Sequence, residues 1–160
     1  MGSSGLNRPI CSSFTLSIRI ARDAAEIDEA AELYVRSGRA AFTWRPDNHF
    51  RVEDFRMFAL DEEVWLARIG EALVGILSIY RDENFVHCLY VDPDAQRLGV
   101  GRALVDHVRR VVGAPLTLKL DVPNRKAIAF YEATGWERMT GLDDQGVDDA
   151  GITWARYRLA

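Results

Sequence analysis

The chain has 160 residues, enough for one domain with a real core, and its 24 acidic against 20 basic side chains leave a formal net charge of −4. With no basic block and no alternation of basic and aromatic residues, that balance argues against a nucleic-acid or anionic-membrane surface. No apolar run approaches the roughly 20 residues of a membrane span, and His49, His87 and His107 are scattered without metal-ligand spacing, so neither a membrane nor a metal is expected.

Residues 1–14, "MGSSGLNRPICSSF", are small and polar and lack a signal peptide's apolar centre; they read as a disordered tail, native or partly an expression scar, outside a single domain over 15–160. "FTLSIRIA" alternates like a strand. "DAAEIDEAAELYVRSG" is a helix, opened by the capping-box pair Asp23 and Glu26, striped by Ile27, Ala30, Ala31 and Tyr34, and stopped at Gly38. "RAAFTWRPDNHF" is an aromatic, Pro-broken loop, either a pocket wall or lid or a plug for the core edge. "VEDFRMFAL" is a short helix presenting Val52, Phe55 and Met57 or Phe58.

"VWLARI", the turn "GEA" and "LVGILSIYR" form a β-hairpin. "FVHCLYV" is a central strand covered on both sides, with Phe85, His87, Leu89 and Val91 on one face and Val86, Cys88 and Tyr90 on the other. In "VDPDAQRLGVGRALVDHVRRVV" a turn runs through Gly99 and Gly101 into an amphipathic helix, "PLTLKLDV" is a strand, "NRKAIAFYEATG" a helix ending on Gly135, and "GITWARYRL" a final strand. The order β-α-α-β-β-β-α-β-α-β joins a meander to a parallel crossover. Cys11 and Cys88 form no C-x-x-C pair, which reads as a reducing compartment.

Gly99 and Gly101 remove Cβ atoms where a helix leaves its first N–H groups free, so an anion could approach there. The plainer reading is turn punctuation. A dinucleotide-binding fingerprint, with Asp121 as the ribose acid, fits poorly: Leu104 stands for the third glycine, and a long step separates Val91 from Gly99.

The segment "LYVDPDAQRLGVGRALVDHV" resembles the acetyl-CoA motif of the GNAT N-acetyltransferase superfamily, in which Gln or Arg, two residues, Gly, one residue, and Gly or Ala recur; Gln96, Gly99 and Gly101 fill it. "LDVPNRKAIAFYEATGWE" is similar to the family's later motif. The resemblance implies an α/β (α+β) GNAT-like fold, a mixed sheet of six to seven strands with about four flanking helices. It also implies a cytoplasmic enzyme that transfers an acetyl group from acetyl-CoA directly to the amine of a small molecule or peptide. A homodimer is common among such folds, and this sequence offers no interface signature. The alternative is a non-catalytic acyl-CoA-binding sensor or interaction module.

By that resemblance the N–H groups of Arg97, Leu98, Gly99, Val100, Gly101 and Arg102 hold the CoA pyrophosphate. Leu89, Tyr90 and Val91 end a strand that splays from its parallel neighbour and exposes backbone to pantetheine. Asn124 matches a residue touching the cofactor arm and equally reads as a helix N-cap. His87 matches the region where some members carry a base, and otherwise reads as a neutral core histidine. An ordinary His lies about four units below a lysine-like amine, roughly 5 kcal/mol uphill, so a base here works through water or on a less basic amine. Phe85, where other members place a base, cannot titrate.

Tyr131 matches the family's tyrosine near the departing sulfur; on its own helix it also fits a core stripe with Ala127, Ile128 and Phe130. Acceptor contacts are expected from Phe42, Trp44 and Tyr80, and Asp143, Asp144, Asp148 and Asp149 either attract a cationic amine or form a solvated loop.

Overall fold

The computed structural model describes residues 15–160; the expected tail over 1–14, with Cys11, lies outside the described residues. Strand β1 (Leu16–Ile20) leads into helix α1 (Ala24–Ala41), where Asp23 Oδ1 accepts the Glu26 N–H at 2.9 Å. The Glu26 carboxylate reaches back to the N–H of Arg22 at 3.1 Å, one residue before the cap, so only half of the expected capping box closes.

Helix α1 does not stop at Gly38. It continues to Ala41, because Gly38 is a packing site: a Cβ there would stand 2.3 Å from the buried Phe50 ring. A 3-10 turn (Asp47–His49) then leads to α2 (Val52–Ala59), which buries Phe55 and half-buries Phe58, while Met57 faces solvent.

Strands β2 (Glu63–Ile69) and β3 (Ala72–Tyr80) make the expected hairpin, and β4 (Phe85–Val91) pairs antiparallel with β3. Helix α3 (Val100–Val112) crosses over to β5 (Leu116–Asp121), parallel to β4. Helix α4 (Arg125–Ala133), β6 (Glu137–Arg138), β7 (Gln145–Val147) and β8 (Thr153–Leu159) complete the chain. One sheet runs β1-β2-β3-β4-β5-β8-β6, with β7 also on β8. Strands β6 and β7 are too short to leave a period-two signature, so the sheet has eight strands where six or seven were expected.

Each face of the sheet has its own core. Helices α1 and α2 enclose Leu33, Tyr34, Phe50 and Phe55 with Val64, Leu66, Ile76 and Cys88; α3 and α4 enclose Leu104, Val105, Val108 and Tyr131 with Trp65, Leu77, Val86 and Leu118. Val86 and Cys88 therefore face opposite sides, against the alternation expected of β4. The cause is a β-bulge: Ile79 pairs with Val86 and Ser78 with Cys88, leaving His87 as the extra residue. His87 thus leaves the face of Leu89 and Val91 and joins the α2 side, its ring 4.3 Å from that of Phe58.

Candidate active site

Strands β4 and β5 share one register pair, Phe85 with Thr117, and part beyond it. Most of the β5-facing edge of β4, including Leu89, Tyr90 and Val91, has no strand partner there. Parting is enforced at the far end, where Pro93–Ala95 forms a 3-10 turn and the chain swings out to start α3.

At that start Arg97 and Gly99 both take positive φ, +68° and +77°, and Gly99 is the N-cap. The first helical return bond is Ala103 N–H to Gly99 C=O at 3.0 Å, and the N–H groups of Arg97 through Arg102 have no acceptor among the described residues. The two glycines differ in use. A Cβ at Gly99 would meet open space, whereas one at Gly101 would stand 3.4 Å from the Phe130 ring and 3.5 Å from Val91. A Cβ at Gly101 would therefore make ordinary van der Waals contact with α4 and β4. Gln96, Arg97, Leu98 and Arg102 are exposed, and Arg102 stands 3.9 Å from Asp106.

On the α1/α2 side of the parted strands lies a cavity of about 550 Å³, lined among others by Tyr34, Phe42, Phe50, Phe58, His87 and Tyr90. Phe42 is thus a pocket wall. Trp44 instead donates through Nε1 to Asp121 Oδ2 at 2.9 Å, and Tyr80 lies at the β3–β4 turn with its hydroxyl on Asp82 at 3.2 Å, away from the cavity. Alternation along β3 identified Tyr80 as a hairpin residue but could not tell which end of the strand meets the cavity.

His87 is one-third exposed, and its Nδ1 lies 2.8 Å from Oε1 of Glu62, whose side chain is 9% exposed. It is not a core histidine. Tyr131 is 6% exposed, packs edge-on against Phe130 and Trp136, and its hydroxyl has no hydrogen-bond partner among the described residues. Burial, with Cys88 second, holds its phenol above the ordinary value, so it stays protonated. Asn124 caps α4 by accepting the Ala127 N–H at 3.2 Å, the plainer of its two expected placements, and also lines the cavity.

Sequence reading missed Arg45. Its guanidinium, 9% exposed, donates to both Asp121 oxygens at 2.7 and 2.9 Å and to Asp148 at 2.7 Å, so the α1–α2 loop, the end of β5 and the β7–β8 loop are tied together. Asp148 is held below the usual carboxylate range by that contact first, so it is not a free cation trap. Asp144 is likewise occupied, accepting from Gly141 N–H and lying 3.6 Å from Arg156. Asp121, which could have passed for a ribose-binding acid, is an anchor. Its partners lie more than seventy residues away in sequence, beyond any local pattern.

Among the described residues no three His, Cys, Asp or Glu side chains gather as a metal site, and no helix is long and apolar enough to cross a membrane. Cys88 is a free, buried thiol.

The model of the acetyltransferase (GNAT) family matches residues 27–136, which hold the parted strands, the glycine turn before α3 and Tyr131. Over 148 residues the chain is 30% identical to the peptidyl-lysine N-acetyltransferase YjaB of Escherichia coli, covering 91% of this chain and 96% of that protein. It is 39% identical over 74 residues to the ribosomal protein bS18-alanine N-acetyltransferase of the same organism, spanning 43% of this chain and about half (49%) of that relative. In fold it is similar to the PaiA N-acetyltransferase of Thermoplasma acidophilum solved with coenzyme A, at a TM-score of 0.73 and 13% identity over 91% of this chain and 98% of that one. A splayed central strand, a glycine turn with unpaired N–H groups and a family match running through both make the chain a member of the GNAT acetyltransferase family, an acetyl-CoA-dependent acetyltransferase.

Proposed function

We propose that residues 15–160 form one catalytic unit, working in the cytoplasm, that moves the acetyl group of acetyl-CoA to the amine of a small molecule or peptide by direct attack in a ternary complex. The observation that carries this is the joining of two openings through one gap. The unpaired N–H groups of Arg97 through Arg102 lie at one end of the parting between β4 and β5, and the aromatic cavity opens beside it. Oriented N–H donors can hold pyrophosphate without a basic patch. Free backbone on Leu89 to Val91 suits the pantetheine amides, with Asn124 facing them from α4. The peptide-lysine and ribosomal-protein relatives favour an amine on a peptide as acceptor.

The acceptor nitrogen attacks the acetyl carbon, a C–N bond forms, and the C–S bond breaks with its electron pair on sulfur. His87 takes the amine proton, directly or through water, from its place on the cavity wall. Tyr131 donates a hydrogen bond to the developing thiolate. Its raised pKa makes full transfer to a thiolate of pKa near 8.5 unfavourable, so it acts as a fixed donor and not as a proton source.

Two measurements test this. Calorimetric titration with CoA should give one site per chain, and thiol release from acetyl-CoA across polyamines, amino acids, aminoglycosides, lysine peptides and peptide N-termini should identify an acceptor. The same assay on His87→Gln should show a lower kcat, little change in KM for acetyl-CoA and a flattened acidic limb. Absence of CoA binding sinks the whole reading, and an unmoved pH profile removes His87 from it.

A further inference from the structure

Glu62 has an environment that the chemistry above does not use. It precedes β2, its side chain is 9% exposed, one oxygen lies on His87 Nδ1 at 2.8 Å, and the other, Oε2, is buried without any hydrogen-bond partner. No lysine or arginine among the described residues comes within ion-pair distance of it. A buried carboxylate served by a single imidazole is costly unless the arrangement has a use.

We propose that Glu62 is the positioning residue of His87: it holds the proton on Nδ1 and so turns the lone pair of Nε2 toward the acceptor cavity. The proposal rests on the reading of His87 as the base. A carboxylate on one ring nitrogen selects the tautomer and orients the ring. Here the ring is gripped from two sides, by Glu62 and by the Phe58 ring, while the bulge that carries His87 frees it from the strand's alternation.

The other charges around the cavity do not compete for this ring. Arg45 and Asp121 satisfy each other, and Lys119 lies 4.3 Å over Trp154. Arg51, Asp54 and His49 face the cavity from α2 and the turn before it, outside ion-pair and hydrogen-bond reach of His87. On its own strand, burial pushes the Cys88 thiol up to about 12 and the Tyr90 phenol well above its ordinary value, so both are neutral near pH 7.

The test reads the imidazole itself in the full chain by NMR, its signals assigned by their loss in His87→Gln. In the native protein the neutral ring should be the Nδ1–H tautomer. In Glu62→Gln the neutral ring should become a mixture of the two tautomers. With a lysine-containing peptide as acceptor, kcat should drop about tenfold while KM for acetyl-CoA changes little. If Glu62→Gln does not fold, Glu62→Asp retains the charge one methylene further back and should show the same changes, smaller. An unchanged tautomer overturns the proposal even where His87→Gln slows the enzyme. A lower melting temperature with the tautomer unmoved also overturns it, leaving Glu62 a stability residue. A His87→Gln enzyme with native rate and profile instead removes the base and leaves the Glu62 contact standing.

Discussion

Tyr131 is both a core residue and the proposed donor to sulfur, and one substitution separates the roles. Tyr131→Phe keeps the ring against Phe130 and Trp136 and removes a hydroxyl that has no partner among the described residues. Since no protein hydrogen bond is lost, stability should change by less than about 1 kcal/mol, while kcat falls by about ten- to a thousandfold as a transition-state donor disappears. A thermal melt and a rate per folded molecule check the two halves. Gly38 sets two known effects against each other. Ala is the better helix former by about 1 kcal/mol, but its Cβ would stand 2.3 Å from Phe50, a ring 2% exposed and packed by Tyr34 and Phe42. Overpacking of this kind costs about 1–3 kcal/mol. Gly38→Ala should therefore lower the melting temperature, by about 2–4 °C per kcal/mol lost, whereas a stabilised variant would mean that Phe50 yields freely.

At the scale of elements, the start of α3 carries the donor reading. Gly99 holds φ +77° with open space where a Cβ would go, so the glycine is there for the backbone and not for packing. A β-branched residue does not hold that conformation. Gly99→Val should weaken CoA binding about tenfold or more, of order 1.4 kcal/mol, by misaiming the N–H groups, with the core intact in a circular dichroism melt. Equal affinity in calorimetry would show that the donors are not the pyrophosphate site. Gly101 is the poorer test, because its substituent would press on Phe130 and Val91. Helices and hairpin were legible because each is a local pattern. The bulge in β4 was not: "FVHCLYV" is apolar on both faces and shows no break of its own, and the extra residue exists only against the register of β3.

Across the whole molecule, Arg45 ties three segments that no local signal connects. Arg45→Ala would leave Asp121, 14% exposed, without its cation and with the Trp44 N–H as its remaining side-chain donor. The loss should be roughly 2 kcal/mol, below that of a fully buried pair because both groups keep some water; a denaturant melt measures it. The same geometry sets the acid response. A hydrogen bond from Arg19 first holds the Glu26 carboxyl down from 4.5 to about 2, and Arg68 and Arg45 depress Glu29 and Asp148 in the same way. Because these folded-state values lie below the unfolded ones, their contribution is complete above about pH 4.5 and is lost as pH falls toward 2. The contribution of these carboxylates should be level above about pH 4.5 and decline below it, and Glu26→Gln should flatten that decline. A decline of equal steepness in Glu26→Gln would place the acid sensitivity elsewhere.

Sequence alone determined what depends on neighbours in the chain: the order of the main elements, the glycine turn before α3, the cap at Asp23, and two motifs whose spacing matches the family. Tertiary structure decided what depends on partners distant in the chain. Strand pairing put His87 on the cavity side and beside Glu62, 25 residues earlier; the approach of Phe50 kept Gly38 inside its helix; and Arg45 turned Asp121 and Asp148 from candidate ligands into anchors. A helix period or a cap is set over a few residues by backbone geometry. The face a strand residue adopts, and whether a charge is free or spent, is set by register and packing across the sheet.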